Sequence, residues 1–348
     1  MRPRSEDMAR HANTRRSGNV WLAFWMIWVC IHAHAETAKG SDWPVPSKSI
    51  TLGISTHFAQ GVGDPAIEIP RMAANGWRGV RDEVFWSHTE TAPGVYELPT
   101  PIKALLAAGR SSGISPVLLL GYGHPNHTRG AKPLTPAERQ AFVRYAQFVT
   151  ENVRGQVAAL EIWNEWDIGI GGGLPGKPED YLLLLREVIP VIRRTDPNVK
   201  ILAGSMTPEG VDRGYLRALI ELGLLDLVDG ISVHVYVWSR KAATPQDASD
   251  WVRRILSYSL GKPLHITEIG WPTHRATLWK AAGSTDLVQR NYVCATRTLL
   301  SSIPSVRSIY FYGHIDSGSD PTDPEHRFGL IRQDGTPRPA FAINTCDY

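Results

Sequence analysis

Apolar residues in this chain gather in short, dense runs that begin near Ile50, Trp77, Ile114, Val157, Val199, Val228, Pro263 and Val306, with polar and Gly/Pro-rich segments between them. Short apolar runs bounded in this way predict buried strands, covered on both faces as in a parallel sheet. Between most of them the period lengthens: Pro136–Val153, Glu179–Thr195 and Thr285–Ser302 each carry an apolar stripe with charges opposite, which predicts amphipathic helices. Strand and helix alternating eight times predict an α/β protein of the closed (β/α)8 TIM-barrel class. A doubly wound open sheet competes for the same alternation. Its Gly-rich first turn is missing, because THFAQGVGDP (Thr56 to Pro65) contains no GxGxxG.

Two of the runs hold a carboxylate where a core strand has no use for one. The segment LEIWNEWDIG climbs as an apolar run from Val157 to Trp163 and then stops in Asn164 and Glu165. PLHITEIGWPT, Pro263 to Thr273, carries Glu268 amid Ile266, Ile269 and Trp271. In a barrel both lie at the C-terminal mouth, where the chemistry of this architecture collects. Other unusual residues fall at the same ends: Arg81, Asp82 and Trp86, then Tyr122 and His124, then His234, Tyr236 and Trp238. Five tryptophans at strand ends (Trp86, Trp163, Trp166, Trp238 and Trp271) suit stacking on sugar faces, with core packing the alternative for each. His234 and Tyr236 are two apart and so point into the same mouth, where they are read as orienting Glu268, with a satisfied structural histidine the alternative. Arg81 either holds a surface ion pair or, beside a carboxylate at the mouth, keeps that carboxylate ionised. Paired glutamates are what glycosidic cleavage needs, one to protonate the leaving oxygen and one to stabilise the oxocarbenium-like centre. The competing reading is a carbohydrate-binding subunit of an exopolysaccharide biosynthesis complex that keeps the cleft without turnover.

The N-terminus changes the charge balance. Arg2, Arg4, Arg10, Arg15 and Arg16 precede the apolar run Val20–Ile31, and Ala33-His34-Ala35 closes it, which predicts a secretory signal peptide over residues 1–35. An uncleaved anchor competes, but a run this short falls below the roughly 18 residues that span a bilayer. The mature chain, 36–348, is expected to be one secreted or periplasmic catalytic domain. Removing the leader takes five Arg and two acids from 37 basic and 34 acidic residues, leaving 32 of each. A net charge near zero gives no footprint for nucleic acid or an anionic membrane. We therefore expect a monomer whose partner is a carbohydrate substrate, with no membrane contact after leader removal. Cys294 and Cys346 remain, either as a disulfide or as two separate thiols. His57, His124, His234 and His314 stand singly, without the His-x-His cluster of a catalytic zinc site, so no metal and no cofactor are expected. GGGLPGKP, residues 171–178, mimics a phosphate loop but has Pro178 where Ser or Thr must meet magnesium, and is read as a cleft wall.

The motifs IWNEWD, HVY and ITEIGWPT resemble those of clan A glycoside hydrolases, a superfamily of retaining (β/α)8 enzymes. WRGVRDEVFW, LGYGHP and DPEHRFGLIRQDGTPRPAF extend the resemblance over nearly the whole mature chain, toward family 39 and its PslG-like exopolysaccharide-degrading relatives. Family 5 is similar in its mouth residues. The resemblance implies that Glu165 is the acid/base, Glu268 the nucleophile and Asn164 the partner of the sugar 2-hydroxyl. Arg81, His124, His234 and Tyr236 would support them, alongside the strand-end tryptophans Trp86, Trp166 and Trp271 read above as sugar contacts. Two positions depart from the clan. Trp166 stands where it has proline, and Phe311 stands where a tryptophan floors the reacting sugar, so that Tyr312 or His314 would take that place.

Overall fold

The structure, a computed structural model, describes residues 50–169, 174–239, 243–277 and 283–346. The signal peptide lies outside these residues, as do positions 171–173 of the expected cleft wall. Eight parallel strands close a barrel: Thr51–Ser55, Gly79–Phe85, Val117–Gly121, Ala159–Ile162, Lys200–Met206, Gly230–His234, Leu264–Ile269 and Val306–Tyr312. We number them first to eighth. Each pairs with its sequence neighbours and the first pairs with the eighth. The apolar runs thus start within three residues of the strands they predict. The helices follow their stripes as closely, at Pro136–Val153, Pro178–Thr195 and Asp286–Ser301.

Local chemistry sets these boundaries. Thr135 starts its helix with a capping box: its hydroxyl accepts from Glu138 N, and Glu138 Oε2 accepts from Thr135 N at 2.7 Å. Thr285 caps Asp286–Ser301 by accepting from Val288 N. After the eighth strand the described residues form 3-10 turns, Pro324–Arg327, Pro339–Phe341 and Ile343–Thr345, in place of an eighth long helix. Cys294 and Cys346 form a disulfide that ties this tail to the preceding helix. That settles the question the sequence left open.

The main core fills the space between sheet and helices, and a small second cluster, Val117, Ala159, Leu202 and Tyr310, plugs the barrel interior. Glycine makes room for Tyr310: a Cβ on Gly53 would come within 2.5 Å of its ring. In the register of the sheet Arg81 lies beside Val117, and Glu161 beside Leu202. The interior there changes from apolar to ionic, and this layer carries the site.

Candidate active site

Arg81 is 1% exposed and spends its donors on four side chains. Nε donates to Glu161 Oε2 at 2.6 Å, Nη1 to Glu268 Oε1 at 2.7 Å and to Ser55 Oγ at 3.2 Å, and Nη2 to Asn164 Oδ1 at 2.9 Å. Burial opposes its charge, but Glu161 and Glu268 outweigh that and hold the guanidinium protonated more firmly than a free arginine. Glu161 is fully buried, and its other oxygen accepts from Ser205 Oγ at 2.5 Å.

The fourth strand ends at Ile162, so Asn164 and Glu165 sit on the turn after it. That turn is bent by left-handed backbone at Trp163 (φ 65°) and Glu165 (φ 46°), a conformation that costs a non-glycine residue on the order of 1–3 kcal/mol. Glu165 N donates to Ser205 O on the fifth strand, which helps hold the turn in place. Glu268 remains on the seventh strand. There the pairing with the sixth strand slips by one residue between Val233 and His234, a bulge of the kind that re-aims side chains beside active sites.

The two glutamates meet across His234, whose Nδ1 lies 2.7 Å from Glu165 Oε1 and whose Nε2 lies 3.5 Å from Glu268 Oε1. One oxygen of Glu165 and one of Glu268 lie within 4.8 Å of each other. Their surroundings differ. Glu268 accepts from Arg81 on one oxygen and from Tyr236 Oη on the other at 2.5 Å. For Glu165, burial raises the pKa above the ordinary glutamate range, and the nearby Glu268 charge adds to the rise, although His234 works against both. The imidazole of His234 is lowered by burial but raised more strongly by Glu268 and Glu165, so its net shift is upward. Glu165, His234 and Glu268 also form a group of three possible metal ligands. The donor set fits a cation poorly, because Arg81 already neutralises Glu268 and would repel one.

Several residues expected at the mouth are placed elsewhere. Trp86 is fully buried, stacked on His127 and Tyr145, with Nε1 donating to Glu90. His124 uses both ring nitrogens within the structure: Nδ1 accepts from Asn126 N and Nε2 meets Glu90 O. Trp166 is buried against Trp163 and Tyr181, its Nε1 donating to Lys177 O. Trp271 turns to the helix layer, edge-on to Tyr292 at 4.8 Å. These four offer no open face to a ligand. Of the two candidates for the sugar floor, Tyr312 and His314, His314 is buried beside Glu68 at 3.2 Å; Phe311 itself packs outward on Trp77. Tyr312 remains at the mouth, ringed by His57, Tyr236 and Phe328 at 5.2–5.8 Å.

Other mouth residues went unread in the sequence. Glu83 lies two positions after Arg81 on the same strand and accepts from Gln60 Nε2 and Tyr122 Oη, each at 2.7 Å, with His57 at 3.9 Å. Against its burial, His57, Tyr122 and Arg81 hold Glu83 below the usual carboxylate range. Strand alternation, applied to Arg81, was signal enough to find it. Glu161 interrupts the very run that was read as apolar.

A closed parallel barrel with two inward glutamates on the fourth and seventh strand ends is thus the class that fold and site define. No family model matches the chain, and no curated protein matches it. Among solved structures, it is similar to a family 39 glycoside hydrolase from the gut symbiont Bacteroides cellulosilyticus WH2, with TM-score 0.70 and 23% identity over 85% of this chain and 63% of that one. It is also similar to GH5_18 from Streptomyces cattleya in complex with Manβ1-4GlcNAc (TM-score 0.69, 17% identity, 85% and 79% covered). A family 39 enzyme from Xanthomonas axonopodis pv. citri gives TM-score 0.62 and 16% identity, with 84% and 65% covered. The chain spans just under two thirds of the two family 39 enzymes. Identities this low speak to the barrel fold.

Proposed function

We propose that the protein is an exported retaining β-glycosidase that cleaves a polysaccharide or oligosaccharide by double displacement. The observation that carries this is the pairing of Glu165 and Glu268 within 4.8 Å in unlike surroundings. Carboxyl groups about 5–5.5 Å apart suit direct attack by one of them, whereas roughly 6.5–9.5 Å leaves room for a water and gives inversion. Glu165, whose pKa is raised, holds its proton for the glycosidic oxygen as the bond to C1 breaks. Glu268, gripped by Arg81 and Tyr236, attacks C1 and forms the glycosyl ester. Glu165, now a carboxylate, takes a proton from the water that opens the ester. With Oδ1 of Asn164 held by Arg81, its amide NH2 is left to donate to the sugar 2-hydroxyl. His234 touches both carboxylates and balances charge as the proton moves between the two steps.

Export is supported by the leader pattern of residues 1–35 and by the disulfide, a bond that persists in oxidising compartments. The kinship of the motifs and the barrel with family 39 and family 5 enzymes supports the reaction class. The test is a panel of aryl β-glycosides followed by NMR of the first-formed product. Hydrolysis with the β anomer appearing first is expected. An α first product, or no turnover on any member of the panel, would overturn the reading.

A further inference from the structure

Beside the mouth, a cavity of about 240 Å³ opens between the segments that follow the seventh and eighth strands. Arg275, Arg327, Arg332 and Arg338 line it together with Thr273 and Asp286. Asp286 pairs with Arg332, and with Arg338 at 3.0 Å. Behind the wall the buried Asp316 takes Arg338 at 2.8 Å and Arg327 at 3.2 Å. Asp320 and Asp334 act on Arg327 and Arg332 from the surface as well. Arg275 is exposed and has no ion-pair partner among the described residues. Nε of Arg327 is buried without a hydrogen-bond partner, a donor that a folded protein rarely leaves unused.

The cavity is continuous with the cleft wall. Thr273 N donates to Arg327 O, and the next residue, Phe328, packs its ring on Tyr236 and Tyr312. Planar guanidinium forks such as those lining the cavity match a carboxylate.

We propose that this arginine-lined cavity is a subsite for a carboxylated sugar, a hexuronate residue of the same saccharide that is cut at the mouth. The substrate is then a saccharide that carries a uronate apart from the sugar at the cut. The space, about eight waters' worth, holds one pyranose ring. Arg275 and Arg332 on the rim take the carboxylate, and Asp286 competes with it for Arg332 and Arg338. This rests on the glycosidase reading only for the word substrate; the subsite itself does not depend on turnover.

The experiment is calorimetric titration of the full chain with D-glucuronate, using D-glucose and acetate as comparison ligands, at low and high salt. Glucuronate should bind more tightly than either, and its affinity should fall as salt rises. Arg275→Glu, at an exposed and unpaired position, should weaken glucuronate about tenfold. Asp286→Asn should tighten it severalfold, an effect in the opposite direction that misfolding cannot imitate. Equal binding of glucose, equal binding of acetate, or an affinity that neither variant moves would each overturn the subsite. A chain that binds glucuronate but hydrolyses no glycoside keeps the subsite and sinks the glycosidase reading. One that hydrolyses neutral glycosides but ignores glucuronate does the reverse.

Discussion

Replacing Glu161 with glutamine removes one unit of charge beneath the active site and little else. Gln keeps an acceptor for Arg81 Nε, and Ser205 Oγ, 2.9 Å from Ser232 Oγ, can turn to accept from the new amide. Glu161 and Glu268 grip the same guanidinium at 2.6 and 2.7 Å. Across the roughly 2.3 Å between Nε and Nη1, their nearer oxygens are at most about 7.6 Å apart. At an effective dielectric constant of about 20, a charge at that distance is worth about 2 kcal/mol, or roughly 1.5 pKa units. Taking away a negative charge makes the neighbouring carboxylates easier to ionise. The acid limb of the kcat/KM profile of Glu161→Gln should therefore move to lower pH, by about one unit once Arg81 and His234 have absorbed part of the change. The assay is kcat/KM on an aryl glycoside from pH 4 to 9, with the melting temperature measured alongside. If the melting temperature falls while the acid limb stays in place, Glu161 is structural only and the electrostatic argument is wrong.

The Cys294–Cys346 bond closes a loop with a sequence separation of 52, for which chain entropy gives roughly 4 kcal/mol. Cys346→Ser should lower the melting temperature by roughly 6 °C in calorimetry, and an unchanged transition would show that the tail does not need the bond. Trp86 and Tyr312 make a contrasting pair. Trp86→Phe should lower stability by about 1–3 kcal/mol in urea unfolding with KM unchanged, because its indole is locked in an aromatic stack. Tyr312→Ala should raise KM about tenfold with little loss of stability, and the opposite pattern would return Trp86 to the substrate.

The sequence displayed the barrel because its strands are buried on both faces and therefore mostly apolar, a pattern that survives without structural knowledge. The catalytic candidates were legible for the same reason: Glu165 and Glu268 break those runs. The tryptophans were not. Trp86, Trp166 and Trp271 sit at strand ends, as expected, but the first turn after a strand can direct a side chain inward to the mouth or outward beneath a helix, and composition does not record which. Trp163 and Glu165 illustrate the difficulty, since left-handed backbone at both residues decides where the turn points. Glu161 was hidden by its neighbours, although a lone charge within an apolar run requires a buried partner, here Arg81 from 80 residues away.

The central claim is that Glu165 and Glu268 are acid/base and nucleophile, and chemical rescue tests it most directly. On a dinitrophenyl β-glycoside, whose leaving group needs no proton, Glu165→Ala should retain the first step and accumulate a glycosyl-enzyme, and added azide should speed turnover and give the β-glycosyl azide. Glu268→Ala should be inactive on the same substrate without azide, and with it should give only the inverted α-azide. A Glu268→Ala enzyme that still hydrolyses the activated substrate with retention, or a Glu165→Ala enzyme whose azide product is inverted, would contradict the account.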